Sequence, residues 1–495
     1  MLLAAGLVAP AAAPAARNQL SLLEDEAQLL QLGPDARNRA LDDGVALGAD
    51  GFRSQVSWRA IAPRPTAKRR PKRFRGANPK AYPAANWDAL DDFVRGASAR
   101  GLTVLLSPST PIPRWAASGC GRVRGARLRV CKPSPKLYGD FVRALGKRYS
   151  GAYADENQGG GVLPRVARWS FGNEPNLPGW LYPQFARKAG ITYAAAAVRY
   201  RALAVSGLRA LRASGHGRDQ ILLGETAPIG RTTGPLATRP VPPATFIRDL
   251  LCIDRRGAAL RGTAARVRGC TRPRRLAVSG FAHHPYTRGG SQPPLTKGNA
   301  ATEITIASAR RLKRLLDAAG RRGRIPRKLP IHYTEYGFQT NPPDRLFGVR
   351  LPQQALYINQ SDYIAYRDPR VRTVSQYKLV DDAPAASFQS GLRLIDGRPK
   401  PAYAAYRQPL YVARAGAAGL RVYGQVRLAS GPTQVELQNA PLGTAAWVTV
   451  QVVPVRSRTG AFLVRIPRRE GRWRLRWVAP NGAEVLSREA VPAPR

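Results

Sequence analysis

The sequence predicts an α/β protein: a closed (β/α)8 TIM barrel followed by a small C-terminal antiparallel β-sandwich. Three observations carry this expectation. Strand-like apolar runs alternate with helical runs from about residue 18 to 408, the pattern of a parallel sheet with crossover helices. The alternation repeats eight times without a break, which suits a closed barrel better than an open doubly wound sheet. After about residue 410 the helical runs stop, and short strands follow one another between Gly, Pro and Asn. No Gly-rich GxGxxG follows the first strand, which weakens a dinucleotide-binding alternative.

The eight units read in order as follows. A strand at 18–25 precedes a helix at 34–48, and a strand at 50–58 precedes a helix at 86–101. The third strand, 102–109, leads to a helix at 134–149; the fourth, 166–175, leads to a long Ala-rich helix around 191–214. Strand 220–226 is followed by a short helix near 244–252, and strand 276–286 by a helix at 301–320. The last two strands, 329–338 and 371–380, precede helices at 352–367 and 400–410. Long connections at 59–84, 110–133, 226–243 and 287–299 all follow strands, so they gather on the C-terminal face of the barrel, where such folds carry their sites. Residues 17–409 are thus expected to form the barrel domain and 410–495 the sandwich, whose strands lie within 419–428, 433–440, 447–455, 460–467, 471–479 and 484–491.

Composition is that of a globular protein, with 44% hydrophobic and 22% charged residues. The net charge of +48 invites an anionic partner. However, 67 Arg stand against 12 Lys, and residues 411–495 carry 13 basic and 4 acidic residues, a density close to that of the whole chain. An even spread favours compositional bias over a dedicated patch. The exception is RPTAKRRPKRFR at 64–75, seven basic residues and no acid, in the loop after the second strand. It is read as a solvated loop or, more sharply, as an attractor of an acidic glycan. No helix-turn-helix, zinc knuckle or RNA-binding aromatic strand accompanies the charge, so nucleic acid is not expected as a partner.

Residues 1–16 are apolar and rich in small residues, and Ala13-Pro14-Ala15 fits a small-x-small cleavage site, as in a secretory signal peptide, although no basic residue precedes the apolar run. No segment reaches the roughly 20 apolar residues of a membrane span. Four cysteines, Cys120, Cys131, Cys252 and Cys270, allow three connectivities; the local pairs 120/131 and 252/270 suggest two loop disulfides in a secreted or cell-envelope protein. No CxxC is present and the four His are not interleaved with the cysteines, so a zinc site is not expected.

Polar residues at the C-terminal ends of barrel strands face the site. These ends carry Arg53 and Trp58, then Ser107 and Trp115, Asn173 and Glu174, Glu225, His283, His284 and Tyr286, Glu335 and Tyr336, and Gln376 and Tyr377. Two Glu on strands four and seven lie across the mouth from each other. Paired carboxyl groups are what glycoside hydrolysis needs: one protonates the leaving oxygen and one attacks or stabilises the anomeric carbon. Like charges held close also keep one of them protonated. Each residue has a plainer reading. Glu174 before Pro175 is a common turn arrangement. Glu225 either touches substrate or pairs with an Arg. His284 could be a satisfied core histidine. Trp58, Trp115 and Trp180 are sugar platforms or loop anchors.

The motifs VARWSFGNEPN and LPIHYTEYGF resemble the fourth- and seventh-strand signatures of clan A glycoside hydrolases of the family 5 and family 39 type. The resemblance covers roughly residues 18–408. It implies a retaining glycosidase in which Glu174 is the acid/base and Glu335 the nucleophile, with Asn173 on the sugar 2-hydroxyl. AHHPY resembles the clan's His-x-Tyr, which gives His284 and Tyr286; a period of two puts both on one face and turns His283 away. Arg53 corresponds to the clan's second-strand Arg. The clan usually ends its eighth strand with a Trp under the first sugar; this chain has SQYKLVDD, leaving Gln376 or Tyr377 for that place. The expected substrate-binding set is therefore Asn173, His284, Tyr286, Arg53, Trp58, Trp115, Glu225 and Tyr377, in a monomer with no metal and no organic cofactor. The alternative is a barrel that binds carbohydrate at a cell surface without turnover.

Overall fold

The computed structural model describes residues 16, 18–156, 161–287, 291–383 and 387–493. The leader-like segment 1–16 lies outside the described residues apart from Ala16. Strands β1 (Leu20–Glu24), β2 (Gly51–Ser57), β3 (Thr103–Ser109), β4 (Arg168–Trp169), β5 (Gln220–Thr226), β6 (Gly280–His283), β7 (Ile331–Tyr336) and β8 (Val371–Tyr377) close into one parallel barrel. Each pairs with its neighbours in sequence, and β1 pairs with both β2 and β8. Helices α1 (Pro34–Ala46), α2 (Asp88–Ala99), α3 (Pro135–Arg148), α4 (Ala195–Arg212), α5 (Pro243–Leu251), α6 (Ala309–Arg321), α7 (Leu351–Tyr366) and α8 (Pro401–Arg407) follow the strands in turn.

The helices form for local reasons. α3 begins at Ser134, whose hydroxyl accepts from the Leu137 N–H, with Pro135 at the first helical position. Its buried Tyr138, Phe141, Val142 and Leu145 recur at helical spacing and face the sheet. α2 repeats the pattern with Leu90, Phe93, Val94 and Ala97. Inside the barrel Leu22, Leu105, Leu222 and Ala282 fill a dry layer. Two residues further along three of those strands, on the same face, stand Glu24, Ser107 and His284. The apolar floor thus passes directly into the polar mouth.

Several expected elements are shorter or different; the sixth strand, expected over 276–286, is strand only over Gly280–His283, and the seventh, expected over 329–338, only over Ile331–Tyr336. The fourth strand pairs only over Arg168–Trp169, because Gly172 and Glu174 take positive φ angles of 71° and 35°, which a pleated strand does not accept. Ile191–Tyr193 is not helix; it pairs with Ala186–Lys188 in a hairpin that reverses at Ala189-Gly190, both at positive φ. Residues 301–305 are turn and loop, a Thr305/Ser308 capping box starts a short 3-10 helix at Ile306–Ser308, and α6 starts only at Ala309. Past Tyr377 the chain leaves the eighth strand at Lys378, φ 134°.

After α8 the chain turns into a strand that the sequence reading did not separate from the preceding helix. Strands β9 (Leu410–Arg414), β10 (Gly419–Gln425) and β13 (Ala461–Pro467) form one antiparallel sheet in the order β9-β10-β13. Strands β11 (Thr433–Ala440), β12 (Val448–Val455), β14 (Arg472–Val478) and β15 (Glu484–Leu486) form the other, in the order β12-β11-β14-β15. Leu420, Val422, Leu437, Val453, Trp473 and Leu475 meet between them in an apolar core, the inward half of each alternating strand. The sandwich packs on α7 through Tyr363, Tyr366, Tyr411 and Tyr423, with a buried Arg427–Asp362 pair at 3.1 Å. Both local disulfides are present, Cys120–Cys131 and Cys252–Cys270. Among the described residues no helix is long and apolar enough to cross a membrane.

Candidate active site

The ends of β2, β4, β5, β6 and β7 converge on one polar cluster. Tyr200 of α4 sets two of them: its hydroxyl donates to the Phe171 carbonyl at 2.9 Å and accepts from the Gly224 N–H at 2.8 Å. One side chain thereby pins the backbone ahead of Asn173-Glu174 and of Glu225. Gly207 lets α4 come close enough, since a β-carbon there would meet the Phe171 ring at 2.4 Å. Glu174 and Glu225 both adopt left-handed backbone, φ 35° and 49°, a conformation that costs energy and clusters at functional sites. At β5 the register with β6 also shifts between Leu223 and Thr226, which re-aims Glu225 inward.

Glu174 and Glu335 face each other. One oxygen of each, with a ring nitrogen of His284, lie within 4.8 Å of one another. His284 Nδ1 contacts Glu174 at 3.1 Å and Glu335 at 3.4 Å, while its Nε2 contacts Glu225 at 2.8 Å. Tyr286 donates to Glu335 at 3.0 Å. Arg53 lies beneath with 0% exposure. Its guanidinium reaches Asn173 Oδ1 at 2.7 Å, Glu225 at 3.1 Å and Glu335 at 3.4 Å, and also binds Glu24. His283 points away, as the period of two requires, and is held by Thr226 and the Ile304 carbonyl.

The electrostatics follow from this packing. Burial alone would lower His284, but Glu335, Glu174 and Glu225 around it raise it to about 10. Burial would raise Glu225, yet Arg53 and His284 hold it at about 2. Glu335 is pushed up by burial; His284 and Arg53 pull it down while Glu174 pushes it further up. Burial raises Glu24 well above the usual carboxylate range, against the pull of Arg53. The Tyr286 phenol is raised by burial and by the adjacent Glu335, so it stays a hydrogen-bond donor. Glu174, His284 and Glu335 have spacing that could hold a metal ion. The three carboxylates around the two ring nitrogens of His284 favour the protonated imidazole, which in the cluster as it stands places positive charge between Glu174 and Glu335.

Above the carboxylates opens a cavity of about 270 Å3 lined by Glu174, Tyr286, Glu335, Gly337, Gln339, Phe347, Phe388 and Ser390. Half-buried Tyr377 meets Phe388 edge-on at 5.3 Å, so an aromatic corner stands where the missing Trp was expected. Gln376 does not contribute, since its amide nitrogen donates to the Tyr377 and Ser390 carbonyls.

Three residues of the expected substrate-binding set are placed elsewhere, and a fourth acts through others. Trp58, 1% exposed, stacks on Phe141 at 5.6 Å and meets Trp115 edge-on at 5.9 Å. Trp115, 8% exposed, donates to the Pro63 carbonyl. Both anchor the loops after β2 and β3, which outweighed any use as sugar platforms. Glu225 is fully buried under His284, Arg53 and Thr334, so its pairing with an Arg replaces the expected substrate contact. Arg53 likewise has no exposed surface and orients Glu335 and Asn173 instead. Sequence reasoning passed over Glu24, although the rule that finds Glu174 at a strand end also lands on Glu24 at the end of β1. It had no signal for Phe347, Phe388 or Ser390, which come from irregular loops after β7 and β8.

No protein-family model matches the chain, and no curated protein matches its sequence. Its likeness is to solved structures. A glucosidase from Croceicoccus marinus superposes with a TM-score of 0.50 at 12% identity, covering 92% of this chain and 94% of that one. A GH5_18 protein from Streptomyces cattleya, solved in complex with GlcNAc, gives 0.46 at 17% identity over 80% of each chain. A β-glucosidase from Pyrococcus furiosus gives 0.45 at 15% identity, over 75% of this chain and 82% of that one. With its closed eight-stranded parallel barrel, the chain has a (β/α)8 barrel fold, shared over most of its length with the Croceicoccus marinus glucosidase.

Proposed function

We propose that the protein is a retaining glycoside hydrolase acting on O-glycosidic bonds of an oligo- or polysaccharide. The observation that carries this reading is the facing pair Glu174 and Glu335, with oxygens within 4.8 Å across an open cavity. Retaining enzymes hold their carboxyl groups about 5–5.5 Å apart, whereas inverting enzymes need roughly 6.5–9.5 Å to admit a water. The pair here fits the first geometry.

Glu335 attacks the anomeric carbon. Tyr286 and Arg53 fix its two oxygens and favour the ionised form. Glu174 protonates the leaving oxygen and, after departure, takes a proton from the water that hydrolyses the glycosyl-enzyme. His284 spans both carboxylates and offsets their mutual repulsion. Asn173, held through Oδ1 by Arg53, keeps its amide donors for a sugar hydroxyl. Two disulfides and the leader-like N-terminus support action outside the cytoplasm.

The test is a panel of aryl glycosides with product anomers followed by NMR. Wild type is expected to release the retained anomer. Glu335→Ala with azide should yield a glycosyl azide of inverted configuration, and Glu174→Ala with azide one of retained configuration. A wild type that binds glycans but turns over none would show instead a carbohydrate-binding barrel.

A further inference from the structure

The loops around the barrel mouth divide by charge. Residues 59–87, 110–134, 175–194 and 227–242, after β2 to β5, carry nine, six, two and two Lys and Arg, and not one Asp or Glu. The opposite rim is different. Residues 25–33 hold Asp25 and Glu26 with no basic residue, and the loops after β7 and β8 mix Asp344, Asp381, Asp382 and Asp396 with their Lys and Arg. A compositional bias acts along the whole chain, so it does not explain a rim that is basic on one side only.

The four basic loops are also one wall. The Arg59 N–H donates to the Pro111 carbonyl at 2.8 Å, and the Arg114 N–H to that of Pro65 at 2.9 Å, tying the β2 loop to the β3 loop. Lys132 and Tyr182 join the β3 loop to the β4 loop, where Thr110 also donates to the Trp180 carbonyl. Phe185 and Leu236 join the β4 loop to the β5 loop. Cys120–Cys131 closes the β3 loop, and Phe74 plugs the basic run onto Tyr82 and Trp115. With the backbone fixed inward, all seven basic side chains of 64–75 are exposed, as are Arg122, Arg124, Arg127 and Arg129. Partial burial and the neighbouring Arg129 pull Arg59 below the ordinary guanidinium value, so like charges of the β2 and β3 loops are held close to each other. The wall reaches the site itself: Ser109, Thr110, Ile112, Asn173 and Trp180 line one small recess.

We infer that this wall binds the charged groups of a polyanionic glycan, one bearing carboxylate or sulfate on successive sugars, as its chain passes through the mouth. The inference rests on the glycosidase reading and names the substrate class of that same site. A glycan is favoured over nucleic acid because the wall's loops meet Asn173, next to Glu174 of the paired carboxylates, in that recess.

The test uses the full-length Glu335→Gln protein, so that ligand is not consumed. Two further variants each remove five charges. One joins Lys68→Ser, Arg69→Ser, Arg70→Ser, Lys72→Ser and Arg73→Ser; the other joins Arg414→Ser, Arg456→Ser, Arg458→Ser, Arg465→Ser and Arg469→Ser in the sandwich. Circular dichroism checks the fold of each. Binding of polygalacturonate, its methyl ester and duplex DNA is measured by calorimetry at low and near-physiological salt. The wall variant is expected to bind polygalacturonate about tenfold or more weakly, and the sandwich variant within about twofold, because separated surface charges are screened beyond roughly 8 Å. The methyl ester should bind weakly to all. Equal losses in both variants, or equal affinity for polygalacturonate and its ester, would overturn the proposal. A larger loss for DNA than for polygalacturonate would make the wall a nucleic-acid surface and overturn it too. Turnover of neutral aryl glycosides by wild type tests the glycosidase reading separately, and neither result depends on the other.

Discussion

At the barrel mouth two pairs of glutamates sit one layer apart and share almost the same neighbours. Glu174 and Glu335 line the open cavity; Glu24 and Glu225 lie beneath with 0% exposure. Arg53 and His284 join the layers, since each touches both Glu225 and Glu335. The contrast shows that residue type and strand position do not decide a carboxylate's job. Access does. The upper pair can meet a substrate, whereas the lower pair holds the cations that position the upper pair. It follows that removing upper charges should destroy chemistry and spare the fold, and removing lower ones should damage both.

The largest effect is expected from the upper layer. Glu174→Gln should lower kcat by about 10²–10⁴-fold for substrates with poor leaving groups, the usual worth of general acid-base catalysis. The melting temperature should stay near that of wild type. A variant that loses activity only by unfolding would erase the distinction between the layers, and parallel thermal melts would reveal it.

Arg53→Met cuts the connection between layers. It leaves Glu24 buried without its cation and Glu225 with His284 alone, and breaking such a buried pair typically costs about 3–5 kcal/mol. Urea unfolding should show that loss together with a fall in kcat. Glu24→Gln combined with Arg53→Met should recover part of the stability and none of the activity. Recovery of activity would mean that Arg53 merely balances Glu24.

Much of the upper layer was legible in the sequence, and little of the lower. Strand period and strand-end position brought out Glu174, Glu335, His284 and Tyr286, because a barrel converts those two features into a direction. Glu225 was visible, but its burial was not: the shift at Leu223–Thr226 and the left-handed backbone turn it under His284, and nothing in LGETAP announces a bulge. Trp58 and Trp115 show the opposite problem. An aromatic after a strand reads equally as platform or anchor, and only the Phe141, Tyr138 and Phe74 rings around them decide for anchor. Phe347 and Phe388 come from loops without periodicity, so no pattern could point to them. The even basic composition hid the one-sided rim, because a linear count averages loops that the barrel sorts around a circle.

pH separates the layers more gently. In the folded chain His284 titrates at about 10 against 6.5 for an ordinary imidazole. Its contribution to stability is complete below about pH 6.5 and is lost as pH rises through about 10. Glu225, at about 2 against 4.5, contributes stability above about pH 4.5, lost as pH falls through about 2. Wild type should therefore melt progressively lower between about pH 7 and pH 10, and His284→Asn should show a flatter profile there. An unchanged slope in the variant would assign the alkaline loss to other groups.

The smallest expected effect on activity lies outside both layers, at Tyr200. Tyr200→Phe keeps the ring and removes the hydroxyl that bridges Phe171 and Gly224, leaving a buried carbonyl and a buried N–H without that partner. Such a loss costs about 1–3 kcal/mol per unsatisfied group. If the hydroxyl only stabilises the fold, denaturant midpoints fall while kcat and KM hold in the folded protein. If it positions the two strained glutamates, kcat should also drop, by about tenfold, since sub-ångström displacement of catalytic groups is costly. KM for a small aryl glycoside should stay nearly constant, because Tyr200 is buried and does not line the cavity above the carboxylates. That split between kcat and KM tells whether the left-handed turns at Glu174 and Glu225 are held from α4 or by the ion network alone.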